Sequence, residues 1–131
     1  TPAFELALPV LFLSGIQHIA ETPVGMAKMP KYVVDYLKDI PTNWDDSKFI
    51  DGYPGKYIVM ARKKDNIWHI VGINGENKAK EIEIDLSFVT NESGFIILEN
   101  EKGFQQQMIS KTQNTKLKVI MKPNGGFVVK M

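Results

Sequence analysis

The chain has no cysteine in its 131 residues. Disulfide frameworks, thiolate metal sites and a cysteine nucleophile are excluded, and the redox compartment leaves no trace in the sequence. Charge of one sign is not in excess either: 16 basic and 15 acidic side chains give a formal net charge of +1. No nucleic acid and no membrane is expected as partner, because nucleic acid and anionic lipid both select a basic surface. No apolar run approaches the roughly 20 residues of a transmembrane helix. The most apolar stretch, residues 6–13, contains Pro9 and lacks the basic leader and small-residue tail of a secretory signal. Catalytic motifs are missing as well: there is no HExxH, no GxSxG and no phosphate-binding loop.

What is present changes texture along the chain. Thr1, Pro2 and Glu5 form a helix start, with a capping hydroxyl, a proline at the first position and an acid in the first turn. This first helix is apolar nearly all round, which predicts burial on every side and a kink at Pro9. Ser14-Gly15 ends it, residues 16–20 read as a short extended run, and Thr22-Pro23 with Gly25 reads as a loop. Pro30 opens a second helix and Pro41 stops it. Val33, Val34, Leu37 and Ile40 recur on one of its faces, and Lys31 and Asp35 stand four apart.

From Ser47 the period becomes two. Residues 56–63 and 67–74 predict a hairpin around Lys64-Asp65-Asn66, and Asn74-Gly75 a further turn. Residues 80–86 alternate, with Ile82, Ile84 and Leu86 inward. Residues 95–98 and Met108-Ile109 mark two more strands. Residues 116–122 alternate with Leu117, Val119 and Met121 inward, and residues 127–130 close the series. The expected fold is mainly β, an antiparallel sandwich of seven or eight short strands preceded by two helices. The central hairpin is apolar on both faces, so a second sheet should cover one and the helices, or a missing neighbour, the other. Charge is segregated: residues 65–101 carry eight acids and two lysines, and residues 102–131 six lysines and no acid. Either the lysines form an anion patch or, as the cancelling blocks favour, acidic and basic strands neutralise one another.

Candidates for chemistry are few. His18 and His69 lie far apart with no acid at ligand spacing, so His69 reads as a packed or surface residue. Asp45-Asp46 resembles a carboxylate pair but suits loop capping, and Gly52-Tyr53-Pro54-Gly55 suits a turn. Trp44, Tyr53, Tyr57 and Trp68 cluster in one third of the chain. Such rings either stack on sugars or fill the seam between helices and sheet; for Trp68 the alternation favours core.

Taken in order, several segments resemble one family. Phe4-Glu5-Leu6-Ala7-Leu8, Ser14-Gly15-Ile16-Gln17-His18 and Pro41-Thr42-Asn43-Trp44-Asp45-Asp46 resemble the last barrel elements of glycoside hydrolase family 97. Gly52, Gly55-Lys56-Tyr57, Ala61-Arg62-Lys63, Trp68 and Gly72, then Leu86-Ser87-Phe88 and Gly125-Gly126-Phe127, are similar to its C-terminal β-domain. The resemblance covers almost the whole chain and is least clear over residues 90–115.

It implies an α-glycosidase, mainly α-glucosidase or α-galactosidase, with an N-terminal β-supersandwich, a (β/α)8 barrel and a C-terminal β-sandwich. Residues 1–45 would then be the end of the barrel (seventh helix 1–13, eighth strand 14–20, eighth helix 30–40) and residues 46–131 the sandwich. The apolar start becomes a cut through a barrel. Paired carboxyls do the chemistry in such enzymes, about 6.5–9.5 Å apart in inverting and 5–5.5 Å in retaining ones. By resemblance these acids, and the calcium of inverting members, belong upstream. No catalytic residue, metal ligand or cofactor is expected in this chain, nor activity by itself. Candidates for touching substrate are Glu21, in a loop that would border the barrel mouth, and Trp44 and Tyr53. The expected partners are the rest of the barrel and, through residues 1–20, a second copy of the chain; an α-glycoside would bind only the complete enzyme. Residues 14–20, lacking parallel neighbours, should be irregular or paired with that copy. By resemblance the parent bacterial enzyme is periplasmic or extracellular. The chain is thus read as a structural β-domain supporting a barrel, the alternative being an autonomous carbohydrate-binding module that uses Tyr53, Trp44 or Trp68.

Overall fold

A computed structural model describes residues 1–112 and 115–131. Three helices come first: α1 (Pro2–Leu11), α2 (Pro23–Lys28) and α3 (Lys31–Asp39). Eight strands follow: β1 (Asp46–Tyr53), β2 (Tyr57–Lys64), β3 (Ile67–Asn74), β4 (Lys80–Asp85), β5 (Ser93–Asn100), β6 (Gly103–Ser110), β7 (Lys116–Met121) and β8 (Gly126–Lys130). Six of them form one sheet in the order β1-β2-β3-β8-β5-β6, and β4 pairs with β7 in a second, two-stranded sheet. Every pairing is antiparallel.

The β2–β3 hairpin forms as its alternation demands, turning at Asp65-Asn66 with Asp65 at φ 53°. Cross-strand pairing sorts its side chains onto two faces. Val59 and Ala61 with Trp68 and Ile70 join Ile82, Ile84, Val119 and Met121 of the small sheet, and Leu86 just past β4, in one core. Ile58, Met60, Val71 and Ile73 face the other way, against Leu6, Ala7 and Val10 of α1 and Val33 and Tyr36 of α3. Both faces are covered, one by a sheet and one by helices. The charge blocks meet as the cancelling reading requires: acidic β4 lies beside basic β7, with Lys116 3.6 Å from Glu83 and 3.9 Å from Asp85.

Four details differ from expectation. Helix α1 is buried on one face only: Glu5 is exposed, and Phe12 and Leu13 just past its end stand in the open. Thr22-Pro23 begins a short helix instead of a loop, because the Thr22 hydroxyl accepts a hydrogen bond from Gly25 N–H (3.0 Å) and Pro23 supplies a preset φ. The deepest residues of α3 are Val33 and Tyr36, while Val34, Leu37 and Ile40 are half-buried, so the buried stripe is turned from the aliphatic face counted above toward Tyr36. Residues 16–20 form no strand; the irregular outcome, not the extended run, is found.

Gly72 shows how tightly the sandwich core is closed. It sits opposite Phe127 in the β3–β8 ladder, and a Cβ there would lie 2.3 Å from Phe127 Cε1. Gly72→Ala is expected to lower the unfolding free energy by about 2 kcal/mol through overpacking. In urea titrations, adding Phe127→Leu should cost less in the Gly72→Ala background than alone; strict additivity would contradict this contact.

Candidate functional site

The chemistry-bearing contacts of the molecule gather where the helices dock on the six-stranded sheet. Helix α1 is held at both ends. At its C-terminus Arg62 on β2, only 5% exposed, donates from Nε to Val10 O (2.6 Å) and from Nη2 to Leu11 O (2.8 Å). Its Nη1 donates to Ser47 Oγ on β1 (2.6 Å). Carbonyls in the last turn of a helix have no partner within it, and a buried guanidinium needs acceptors, so each satisfies the other. At the N-terminus Glu99 on β5 accepts from Ala3 N–H (3.1 Å). Acid at the start and base at the end also match the helix dipole. Between these ends Ala3 and Ala7 are fully buried, and a Cβ on Gly126 of β8 would come within 2.9 Å of Ala3 O.

Helix α3 docks beside it through a cluster of rings. Tyr36 lies edge-on to Phe95 (centroids 6.4 Å apart) and 5.9 Å from His69, and Trp44 lies edge-on to His69 at 5.2 Å. Lys130 reaches Asp39 at 2.9 Å on the rim of this cluster. Tyr36 Oη and His69 Nδ1 are buried without a hydrogen-bond partner among the described residues. Burial pushes the Tyr36 phenol upward. It also lowers His69 to about 4, helped by the Lys130 charge and opposed by Asp39. Of the packed and surface readings of His69, the packed one is found.

The three candidate substrate contacts are not assembled into one site. Glu21 is exposed, accepts from Thr22 N–H (2.7 Å), and borders a groove of about 680 Å³ with His18, Ile19, Phe12 and Phe104. Tyr53 is 60% exposed at the β1–β2 turn, in a cleft of about 490 Å³ with Phe4, Phe49 and Tyr57. Lys56 Nζ sits 4.8 Å over its ring. Trp44 lines neither depression and fills the helix–sheet seam, whereas Trp68 lies in the opposite core against Phe88 at 4.9 Å. The seam reading thus holds for Trp44; Trp68 is in a core as its alternation favours, though on the sheet face opposite the helices, and Tyr53 lies in neither. Asp45 accepts from Asp65 N–H (2.7 Å), which lowers its carboxyl, and Asp46 accepts from Ser47 N–H (2.8 Å), so the pair serves turns. Gly55, at φ 75°, closes the turn where Lys56 N–H donates to Tyr53 O (3.0 Å). Among the described residues no three histidine, aspartate or glutamate side chains converge to hold a metal ion. No described helix is long and apolar enough to cross a membrane.

A family model described as the glycosyl hydrolase 97 C-terminal, oligomerisation domain matches residues 43–131. The chain belongs to glycoside hydrolase family 97. The chain is 33% identical over 135 residues to a retaining alpha-galactosidase of Bacteroides thetaiotaomicron, a match that covers 97% of this chain and 20% of that one. A probable retaining alpha-galactosidase of Streptomyces bingchenggensis is 39% identical over 70 residues, 53% of this chain and 11% of that one. The crystal structure of a beta-arabinopyranosidase superposes on the whole chain with a TM-score of 0.90 at 29% identity, over 21% of its own length. A family 97 enzyme from a Pseudoalteromonas species, in complex with panose, superposes over 99% of this chain and 22% of its own, with a TM-score of 0.82 at 27% identity. The family 97 chain therefore spans about a fifth of the length of its full-length relatives.

Sequence reasoning did not single out Arg62, Glu99 or Tyr36. Arg62 carried a signal: it is the sole arginine, on the same strand face as Ile58 and Met60. Arg62→Met should cost about 3 kcal/mol in urea unfolding, because it strands two buried carbonyls. Arg62→Lys should recover only part of that, since an ammonium lacks the fork; full recovery by lysine would count against the two-carbonyl clasp. The His69 ring takes up a proton near pH 6.5 when unfolded and only near 4 when folded. Stability is therefore undiminished above pH 6.5 and falls as pH drops toward 4, by about 3 kcal/mol in all. Unfolding curves between pH 4 and 7 should show this slope in the native chain and not in His69→Leu.

Proposed function

We propose that residues 1–45 are the closing elements of a catalytic (β/α)8 barrel and residues 46–131 the C-terminal domain that supports it. The observation that carries this reading is the two-ended fastening of α1. A helix tied to the sheet by Arg62 and Glu99 is part of one rigid unit with the β-domain. Just beyond it Phe12, Leu13, Ile16 and Ile19 stand exposed, an apolar border suited to neighbouring barrel elements. On this reading residues 14–20 are the eighth barrel strand and become ordered only beside a first strand. The parent enzyme hydrolyses a terminal α-glycoside, a galactoside or a glucoside, in the periplasm or outside the cell. Its paired carboxyls lie outside this chain, which contributes support and assembly instead of bond cleavage.

The alternative, an autonomous carbohydrate-binding module, has one feature in its favour: the open Tyr53 ring in its aromatic cleft. The Lys56 ammonium over that ring occupies a face that a sugar would stack on. The two readings part in a single set of assays on the purified chain. The support reading expects no release of nitrophenol from nitrophenyl α-galactoside or α-glucoside, and no saturable change of tryptophan fluorescence with melibiose or maltose. Saturable binding abolished by Tyr53→Ala establishes the binding module, and turnover by the pure chain overturns both.

A further inference from the structure

Among the described residues, four strands have an edge to which no other strand is bonded: β1 and β6 flank the large sheet, and β4 and β7 have outer sides. An open edge is a template for another chain, and proteins guard it with charge, proline or a bulge. Three of these edges are guarded. Strand β1 is bulged between Phe49 and Asp51 and carries Asp46, Lys48 and Asp51. Strand β4 carries Lys80, Glu81, Glu83 and Asp85, and β7 carries Lys116 and Lys118.

Strand β6 has none of these devices. Its sequence, Gly-Phe-Gln-Gln-Gln-Met-Ile-Ser, contains no charge and no proline. Its pairing with β5 runs without a register shift from Gly103 to Ser110. Gln106 and Gln107 are exposed and Met108 is 76% exposed, the most of any large apolar residue described. Charge then selects the partner. A two-fold antiparallel pairing sets a strand against itself, so a charged strand meets its own charges, while β6 meets only amides, methionine and backbone.

We propose that β6 is the seam of a two-fold dimer, where it adds antiparallel to β6 of a second copy so that the two large sheets run on into one. The proposal deepens the oligomerisation role of the family's C-terminal domain, on which it rests, and is independent of the barrel reading. It also differs from self-association through residues 1–20: that apolar border is given to the barrel and the β6 edge to the second copy.

Sedimentation equilibrium and hydrogen exchange on the 131-residue chain test it. The native chain is expected to dimerise. Its β6 amides should exchange at least about tenfold more slowly at dimeric than at monomeric concentration, with β1 amides unchanged. Gln106→Lys with Met108→Lys, both at exposed positions, should raise the dimer Kd at least about tenfold by setting lysines against lysines, with an unaltered circular dichroism spectrum. Phe12→Lys with Ile16→Lys should leave Kd unchanged. If the dimer survives the β6 pair, or if concentration-dependent protection falls on β1 or on residues 12–20, the β6 assignment is overturned while oligomerisation stands. A chain that stays monomeric at about 500 μM overturns both. Should the lysine pair alter the spectrum, the exchange pattern of the native chain decides alone.

Discussion

A guanidinium cannot shed its charge inside a protein, and Arg62 is buried between its cross-strand neighbours Ser47 and His69, so the fold must bring it acceptors. The acceptors it finds are the last carbonyls of α1 and the Ser47 hydroxyl on β1. Glu99 imposes the complementary condition on the other end of the same helix. Arg62 stands on β2 and Glu99 on β5, three strand steps apart in the order β2-β3-β8-β5. Three steps of about 4.8 Å make about 14 Å. The ten residues of α1 rise about 15 Å. The helix is thus the length that the two tethers require, and it lies across β8 and β3, where Gly126, Ala3 and Ala7 leave room for close approach.

From this crossing follows the arrangement of the molecule in layers. The large sheet is apolar on both faces, and each has its own cover: the β4–β7 ribbon on one, α1 and α3 on the other. The ribbon closes the sandwich locally and needs no partner. The helical layer is different, because its second half rests on a ring cluster with two unpartnered polar atoms and its border is a row of exposed apolar side chains. The C-terminal domain therefore has one self-sufficient side and one that gains from neighbours, which suits a domain that supports something larger. The unguarded edge at β6 lies at the far end of the same sheet from the bulged, charged β1.

Much of this was legible in the residues. Alternation located the β2–β3 hairpin and the inward rows Ile82, Ile84, Leu86 and Leu117, Val119, Met121. Two-sided apolarity in the hairpin called for two covers, and both exist. Opposite charge blocks called for adjacent strands, and β4 and β7 are adjacent. Where the reading erred, local chemistry outweighed the dipeptide signal: Thr22-Pro23 caps a helix because its hydroxyl finds Gly25 N–H. Tyr36 was passed over because an aliphatic count ignores a ring whose hydroxyl seems to want solvent, yet its body fills the space beside Phe95 and His69. The sugar-contact candidates Glu21, Trp44 and Tyr53 shared a plausible chemistry and no common location.

Period and turn residues by themselves bounded the strand number at seven or eight and set the face of most strand side chains, since these are properties of neighbours along the sequence; the family came from a resemblance carried by an ordered series of short motifs. Tertiary structure alone decided that β8 enters between β3 and β5, that Arg62 and Glu99 share a helix, and that β6 is left as an uncharged edge. Those facts depend on contacts between residues separated by some 50 to 100 positions (Arg62 to Val10, Ala3 to Glu99), for which local periodicity holds no term. Only the closing of the sheet, by burying a cation and orienting two helix ends, brings them together.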